Sequence, residues 1–365
     1  MKNTFGNQVA VTIFGESHGK GLGVVLDGLA PGIPVDEEFL RAQLAKRRPA
    51  GKISTARREQ DEYTLESGVF EGHTTGTPLC IVIPNTAQQS KDYSATRSKA
   101  RPGHADYTAY CKYHGFEDYR GGGHFSGRIT AGLVAAGGIL IPALERKGIR
   151  IMTHIARCAG VDDRDFESFD ADAKALRDRP FPVLSADAEN AMQAAIEAAA
   201  AEGDSVGGIL ETVITGLPAG LGEPWFDSVE SLLSHGLFSI PAVKGVAFGD
   251  GFDLADQKGS TANDPFRYEG DQVVTESNRN GGINGGITNG MPIRIRIVVK
   301  PTPSIFKEQE TVDFMKEENT TLQIAGRHDP CIVHRASVVV DSVAALVVAD
   351  LLTGRFGTDF LGEQR

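Results

Sequence analysis

Short runs of apolar residues that alternate with polar ones, or are rich in β-branched side chains, predict five strands. The first runs directly into a glycine-rich loop, GESHGKG. The predicted strands lie at 9–14, 23–26, 79–83, 204–214 and 291–299. The last one alternates at its centre, so Arg294 and Arg296 share one face, which we expect to meet solvent or another subunit.

Four stretches have the pattern of helices, and two of them are apolar on every side. The predicted helices lie at 36–46, 128–146, 188–201 and 336–355. Helices such as 128–146 and 336–355 need apolar cover all round, which sheets on both sides of a helical centre would supply. Because the elements do not alternate as βαβα, we predict an α+β fold rather than a doubly wound sheet.

The composition is that of an ordinary globular protein with many glycines. The 365 residues are 41% hydrophobic and 23% charged and include 43 glycines, which excludes disorder and coiled coil. A chain of this length has room for two domains, but enzymes of this size are often single domains. We predict one domain over residues 1–365, with a short C-terminal tail from about residue 357.

Charge and cysteine usage exclude several classes of protein. A net charge of −11 argues against a general nucleic-acid or membrane-surface binder. The four cysteines lie far apart without a CxxC pair, so we expect buried thiols in a reducing compartment and no metal site. The longest uncharged stretch, 129–144, has 16 residues, fewer than the roughly 20 that span a membrane. We therefore expect a cytoplasmic protein.

One local excess of positive charge is unexpected in this acidic chain. Within 18 residues that contain no acid lie seven basic side chains: Arg41, Lys46, Arg47, Arg48, Lys52, Arg57 and Arg58. Arginine clusters suit bidentate binding of phosphate or carboxylate, so a small polyanionic substrate fits. The alternative is a solvated surface that pairs with the following Glu59, Asp61 and Glu62.

Two loops present a histidine able to act as acid or base. In GESHGKG the glycines are too close together for a Walker phosphate loop, and glycine follows the lysine, which leaves a strand-end turn presenting His18. In RPGHADY a Pro-Gly turn presents His104 beside Arg101 and Asp106. In both loops the alternative is a turn histidine with a structural role.

Further loops are rich in glycine or in charged residues. YRGGGHFSGRIT leads through His124 and Ser126 into a predicted helix, where free N–H groups favour an anion site, although the glycines could equally serve a tight turn. NRNGGINGGITNG either lets the backbone approach a planar ligand or forms successive turns. KPTPS and GRHDP contribute Lys300, Arg327 and Asp329, as site residues or as surface turns.

The catalytic motifs of several enzyme classes are missing from the sequence. It contains no HExxH, GxSxG or nucleotide-binding lysine loop, which weighs against zinc hydrolases, α/β-hydrolases and kinases. Many arginines, turn histidines and glycine loops instead indicate elimination or transfer chemistry on a phosphorylated acid, with a phosphate-bearing cofactor as an option.

Seven motifs occur in an order and at spacings that resemble chorismate synthases: GESHG, RPGHADYT, DYRGGG, AVKGV, NGGINGGITNG, KPTPS and GRHDPC. The resemblance implies long helices sandwiched between antiparallel β-sheets, and homotetramers. It implies a lyase acting at the last common step of the shikimate pathway for aromatic amino acid biosynthesis. There 5-enolpyruvylshikimate 3-phosphate loses phosphate and a C6 hydrogen, by anti 1,4-elimination, to give chorismate. Reduced FMN is required without net redox change, and NADPH serves some members as the flavin reductant.

The resemblance also assigns roles to residues. His18 would protonate the leaving phosphate, His104 would lie by the reduced flavin and hold its protonation state, and Asp329 would work with the flavin N5 in removing the C6 hydrogen. The substrate anions would be bound by Arg47, Arg48, Arg101, Arg128 and Arg327. FMN would be held by His124, Phe125, Ser126, Pro241, Ala242, Gly285, Lys300, Pro301, Thr302, Pro303, Ser304 and Arg327. Arg47 could contact NADPH instead.

Two other functions compete with this one. A flavin oxidoreductase that passes hydride from NAD(P)H to a phosphorylated substrate would use the same loops, and it would consume nicotinamide stoichiometrically. A non-enzymatic anion-binding module would bind anions without turnover, and it would leave the histidines and the aspartate without a purpose.

Overall fold

Two five-stranded antiparallel sheets form the outer layers of the protein. The structure, a computed structural model, describes residues 3–49, 53–54, 60–86, 97–177, 179–324 and 328–363. Its strands are β1 Thr4–Phe5, β2 Ala10–Gly15, β3 Gly21–Asp27, β4 Thr64–Ser67, β5 Val69–Phe70, β6 His73–Thr74, β7 Leu79–Pro84, β8 Arg150–Cys158, β9 Val161–Asp162, β10 Gly208–Thr215, β11 Val243–Phe248, β12 Phe266–Glu269, β13 Gln272–Thr275, β14 Ile283–Asn284, β15 Ile287–Thr288, β16 Ile293–Val299, β17 Gln309–Asp313 and β18 Glu318–Leu322. The first sheet has the order β1-β2-β3-β7-β4 and the second β11-β16-β10-β8-β9, and the remaining strands pair as hairpins.

The two longest helices, Thr130–Arg146 and Val333–Phe356, lie between the two sheets. The helices are α1 Glu37–Lys46, α2 Asp106–Tyr113, α3 Thr130–Arg146, α4 Phe169–Leu176, α5 Ala186–Ala201, α6 Val229–Phe238, α7 Gly259–Ala262 and α8 Val333–Phe356. Helix α3 packs on β3 and β7 of the first sheet, α8 packs on β8 and β10 of the second, and α3 and α8 pack on each other. The predicted α+β sandwich with a helical centre is confirmed.

The two central helices touch closely at a glycine. A Cβ atom at Gly137 of α3 would lie 2.3 Å from the Oγ of Ser342 on α8, so a larger residue would force the helices apart. The Ser342 hydroxyl donates to the carbonyl of Val338 one turn earlier, which satisfies a polar group in an apolar interface. This contact sets the spacing of the two central helices.

Both central helices are long and apolar enough to cross a membrane by length and composition alone. Their most apolar windows, in Gly127–Arg146 and Val333–Phe356, are 94% and 89% buried inside the protein. They are the core helices that the all-round apolar pattern predicts. In the described residues one hydrophobic core contacts both sheets. The expectation of a single domain over residues 1–365 stays a prediction.

The sequence patterns miss many of the shorter elements, such as α4, α6 and β11, and two of the missed elements, α2 and β8, show why. Helix α2 lies within a stretch without apolar periodicity, because Ala109 is its buried residue and it has no apolar stripe. The patterns also miss strand β8, because the polar Thr153 and His154 are buried in its middle and break the alternation. All the strands and helices that the sequence predicts are present, with ends shifted by a few residues.

The expected burial of the four cysteine thiols is found for only some of them. The thiols of Cys158 and Cys331 are buried, with their sulfur atoms 3.7 Å apart, and Cys80 is half-buried. Cys111 is exposed on α2, so the expectation of burial is wrong there.

Candidate active site

A cavity of about 960 Å³ lies where the first turns of α3 and α8 meet the loops that follow α1 and β16. Its size is in the range of ligand pockets, roughly 300–1,000 Å³. Most sequence-predicted site residues line it: Arg47, Arg48, His104, His124, Phe125, Ser126, Arg128, Pro241, Ala242, Lys300, Thr302, Pro303, Ser304 and Asp329. Apolar side chains cover another part of the wall: Phe5, Val11, Ile13, Leu133, Val339, Val343 and Leu346.

Four described residues with predicted roles are not on the cavity wall: His18, Arg101, Gly285 and Pro301. Gly285 lies in the β14–β15 hairpin and has a φ of 62°, so it serves a tight turn there. Arg327, predicted to bind both the substrate and FMN, lies outside the described residues, as do Lys52, Arg57 and Arg58 of the basic run.

The predicted arginine cluster is organised around a buried carboxylate. Arg47 follows the last residue of α1, and its Nη2 donates to Asp61 Oδ2 at 3.0 Å. Arg128, in the turn before α3, donates to the other oxygen, Oδ1. Burial alone would raise the pKa of Asp61, but the two guanidinium groups hold it below its usual value. The pairing of the basic run with Asp61 therefore exists, but it is buried in the cavity wall rather than solvated.

Two buried donors of this cluster have no partner among the described residues. Burial, together with the charges of Arg335 and Arg128, lowers the pKa of Arg47 to about 10 although Asp61 opposes the shift. The Nε atoms of Arg47 and Arg48 are buried and make no hydrogen bond within the described part of the chain. Buried donors normally find a partner, so these atoms point to an anionic ligand.

His104 is fixed by the charged pair on either side of it in the sequence. Its Nδ1 lies 3.1 Å from Arg101 Nη2 and 3.1 Å from Asp106 Oδ1. Arg101 donates to both oxygens of Asp106, at 2.6 and 2.8 Å, which explains why it is not on the cavity wall. Burial would raise the pKa of Asp106, but hydrogen bonds from Arg101 and His104 lower it well below its usual range. When Nδ1 donates to Asp106, Nε2 is the nitrogen that can accept a proton.

His18 lies behind the glycine run. It is 5% exposed in the β2–β3 turn, and its Nδ1 lies 3.2 Å from the Oγ of Ser17. A Cβ atom at Gly121 would lie 2.2 Å from His18 Cε1, and one at Gly122 would lie 3.1 Å from His104 Cε1. The glycines thus form a tight left-handed turn between the two imidazole rings.

The turn before α3 carries three of the predicted flavin ligands. His124 Nδ1 lies 2.7 Å from the carbonyl of Gly15, so this nitrogen donates, and Nε2 lies 3.3 Å from Asn3 Oδ1. The hydroxyl of Ser126 accepts from the backbone N–H of Arg128 and caps the turn. His124 therefore connects the N-terminal segment to the cavity wall.

Asp329 is paired with an arginine that the sequence patterns did not single out. Arg335 of α8 donates from Nη1 to Asp329 Oδ2, and from Nε to the carbonyl of Arg47 at 2.7 Å. It therefore connects the loop before α8 to the end of α1. Its only signal in the sequence is a charge near the start of an apolar helix.

The KPTPS loop is fixed at the end of β16. The backbone N–H of Lys300 donates to the carbonyl of Ala242, and its Nζ donates to the carbonyl of Gly103 at 2.5 Å. Ser205 donates to the carbonyl of Thr302, whose own hydroxyl is buried without a partner in the described chain. Lys300 thus joins this loop to the turn that carries His104.

Comparisons with known proteins agree with the motifs. Residues 9–353 match the family model described as chorismate synthase. A chorismate synthase of Dehalococcoides mccartyi is 47% identical over 353 residues, 96% of each chain. One of Thermococcus gammatolerans is 46% identical over 351 residues, 96% of this chain and 97% of that one. A solved structure titled "Crystal Structure of Chorismate Synthase" superposes with a TM-score of 0.76 at 27% identity, covering 97% of this chain and 94% of that one. The chain therefore belongs to the chorismate synthase family, the lyases that form chorismate in the shikimate pathway.

Proposed function

We propose that the cavity binds 5-enolpyruvylshikimate 3-phosphate together with reduced FMN, and that its side chains catalyse the anti 1,4-elimination of phosphate. The observation that carries this proposal is the pair of buried Nε atoms of Arg47 and Arg48 that have no hydrogen-bond partner among the described residues, on a cavity that also has an apolar wall. A polyanionic substrate needs the first feature, and an isoalloxazine ring needs the second.

The arginines neutralise charge that develops on the leaving phosphate. An allylic phosphate leaves slowly in an apolar site unless donors face its developing charge, and such fixed donors are usually the largest catalytic contribution. Arg47, Arg48 and Arg128 supply guanidinium groups at one part of the wall, and Lys300 supplies an ammonium group. Arg101 would act indirectly in this site, by holding Asp106 and His104.

Asp329 receives the proton lost from C6, and Arg335 fixes its Oδ2. His104 holds a proton at Nε2 or takes one up there, while Asp106 orients its ring through Nδ1. His18 protonates the leaving phosphate. Since His18 lies behind Gly121 rather than on the wall, this last role requires the glycine turn to open or a proton to pass through neighbouring groups.

The residues present fit a flavin mononucleotide. The turn at His124, Phe125 and Ser126, together with Pro241, Ala242 and residues 300–304, would hold it, and the buried Thr302 hydroxyl lacks a partner in the described residues. When bound, reduced FMN lends electron density to C–O cleavage and recovers it, so it is needed but not consumed. We further propose a cytoplasmic homotetramer that accepts flavin reduced by NADPH; a nicotinamide nucleotide contact of Arg47 is the alternative to its role in binding the substrate.

An anaerobic assay tests the proposal. The protein is mixed with the enolpyruvyl substrate and dithionite-reduced FMN, with and without NADPH, and phosphate, chorismate and NADPH are measured. We expect one chorismate per phosphate and no stoichiometric loss of NADPH once the flavin is reduced. One NADPH consumed per phosphate would indicate the flavin oxidoreductase, and equal rates without flavin would refute the cofactor assignment.

A further inference from the structure

Asp61 is a buried carboxylate on the cavity wall that none of the roles above uses. Its side chain is 1% exposed, and its φ of 53° is left-handed, a conformation that aspartate tolerates better than most residues. Each oxygen accepts from a different arginine, Oδ2 from Arg47 and Oδ1 from Arg128. Asp61 thus connects the end of α1 to the turn that begins α3.

We propose that Asp61 is a positioning residue that acts as an internal anion: it occupies donors of Arg47 and Arg128 and limits their affinity for phosphate, so that the phosphate product can leave. This inference rests on the proposed anion site and deepens it.

The charges on the wall support this role. Among the described residues that line the cavity, six are arginine or lysine: Arg47, Arg48, Arg128, Lys244, Lys300 and Arg335. The carboxylates among them are Asp61 and Asp329, and Asp329 is paired with Arg335. Within the described part of the chain, Asp61 is therefore the lining carboxylate that offsets Arg47 and Arg128. Without it, a phosphate dianion would face an excess of positive charge on this part of the wall.

A bridge with only a structural role predicts the opposite effect. If Asp61 merely kept the arginines ordered, neutralising it would disorder them and weaken anion binding. If it competes with phosphate for the same donors, neutralising it releases Arg47 Nη2 and removes a repulsive charge, so anion binding tightens. A single unit charge a few ångström away corresponds to about tenfold or more in affinity, even with strong screening.

The test is a calorimetric titration with inorganic phosphate of the full-length protein and matched variants. Asp61→Asn keeps the shape of the side chain and should bind phosphate about tenfold or more tightly. Asp61→Glu keeps the charge, and its affinity for phosphate should be within about threefold of that of the unmodified protein. Asp172→Asn is the control, because Asp172 is also buried and paired, with Arg164 at 2.5 Å, but lies off the cavity. It should leave phosphate affinity and activity unchanged.

Turnover gives the second readout. Asp61→Asn should lower kcat and strengthen inhibition by phosphate without raising KM, whereas a partly unfolded enzyme would lose kcat with unchanged phosphate inhibition. Asp61→Ser serves as a second neutral variant if the first does not fold.

The outcomes separate this inference from the function it rests on. If Arg48→Ala leaves phosphate binding unchanged, the cavity is not the anion site, and both proposals are wrong. If Arg48→Ala weakens binding while neutral variants at Asp61 bind phosphate no more tightly, only the role of Asp61 is overturned. It is overturned as well if Asp61→Glu tightens binding like Asp61→Asn, or if neither neutral variant folds.

Discussion

Replacing Gly121 by alanine tests whether the glycine turn exists to accommodate His18. The new Cβ would lie 2.2 Å from His18 Cε1 and 2.4 Å from Nδ1, whereas carbon contacts are favourable only from about 3.5 Å. The ring must therefore move by about 1 Å. The φ of 58° adds about 1–2 kcal/mol of left-handed backbone strain, and overpacking costs about 1–3 kcal/mol.

A displacement of about 1 Å of a group in the reaction machinery lowers turnover by roughly 10²-fold. We therefore expect Gly121→Ala to lose about 2–5 kcal/mol of unfolding free energy and about two orders of magnitude in kcat. The assay is anaerobic chorismate formation with reduced FMN, and stability is measured by chemical denaturation.

Gly148→Ala is the matched control. Gly148 has a φ of 79°, and a Cβ atom added there would meet nothing within 4 Å, so this variant carries the strain without the clash. This variant should lose about 1–2 kcal/mol of unfolding free energy and keep its kcat. In a His18→Ala background the clash with the ring is gone and the closest remaining neighbour is Ser17 Oγ at 3.1 Å, so Gly121→Ala should cost little more unfolding free energy than Gly148→Ala. A folded Gly121→Ala enzyme with kcat within a few-fold of the unmodified protein would refute the role of His18, or the position of its ring.

Four further predictions follow from named contacts. His104→Ala should fold and bind flavin but lose about 10²–10⁴-fold in kcat, and near-normal rates would remove it from the mechanism. Arg48→Ala should lower kcat/KM by roughly 10–150-fold, the equivalent of about 1.5–3 kcal/mol, and an unchanged value would make its buried Nε irrelevant to the substrate. His124→Ala removes the contacts to Gly15 and Asn3 and should weaken FMN binding about 2–10-fold in a fluorescence titration; unchanged affinity would contradict its position beside the flavin. Burial raises the pKa of Asp341 to about 6, so the unfolded chain ionises first and stability falls as pH rises from about 4 to about 6. The free energy of unfolding of Asp341→Asn should equal that of the unmodified protein at pH 4 and exceed it at pH 7 by up to about 3 kcal/mol, an upper bound because Asp341 keeps some exposure. Equal stability of the two proteins at both pH values would contradict the pKa shift.

Much of the fold was predictable because its strongest signals are local. The helices α3 and α8 are apolar on every side, and only a helix covered on all faces tolerates that pattern. The loops that line the cavity were recognisable for the same reason, since each keeps its glycines, histidine or arginine within a few residues. What the patterns could not show is which of those side chains face each other.

The pairs that organise the site join distant parts of the chain. In the sequence Asp61 is one acid after a basic run, and its burial between Arg47 and Arg128 depends on the meeting of α1 with α3. Arg335 is one of the few charged residues of an apolar helix, and it contacts Asp329 and the carbonyl of Arg47. Such contacts depend on tertiary packing, which periodicity and spacing do not contain.

Core and site are nevertheless coupled in this fold, because α3 and α8 both begin at the cavity. Arg128 lies in the turn before α3 and Arg335 in the first turn of α8, where the positive ends of both helix dipoles add to the attraction for an anion. The spacing of these helices is set deep in the core by the contact of Gly137 with Ser342. The distance between Arg128, in the proposed phosphate site, and Arg335, which holds Asp329, therefore depends on a glycine that does not line the cavity.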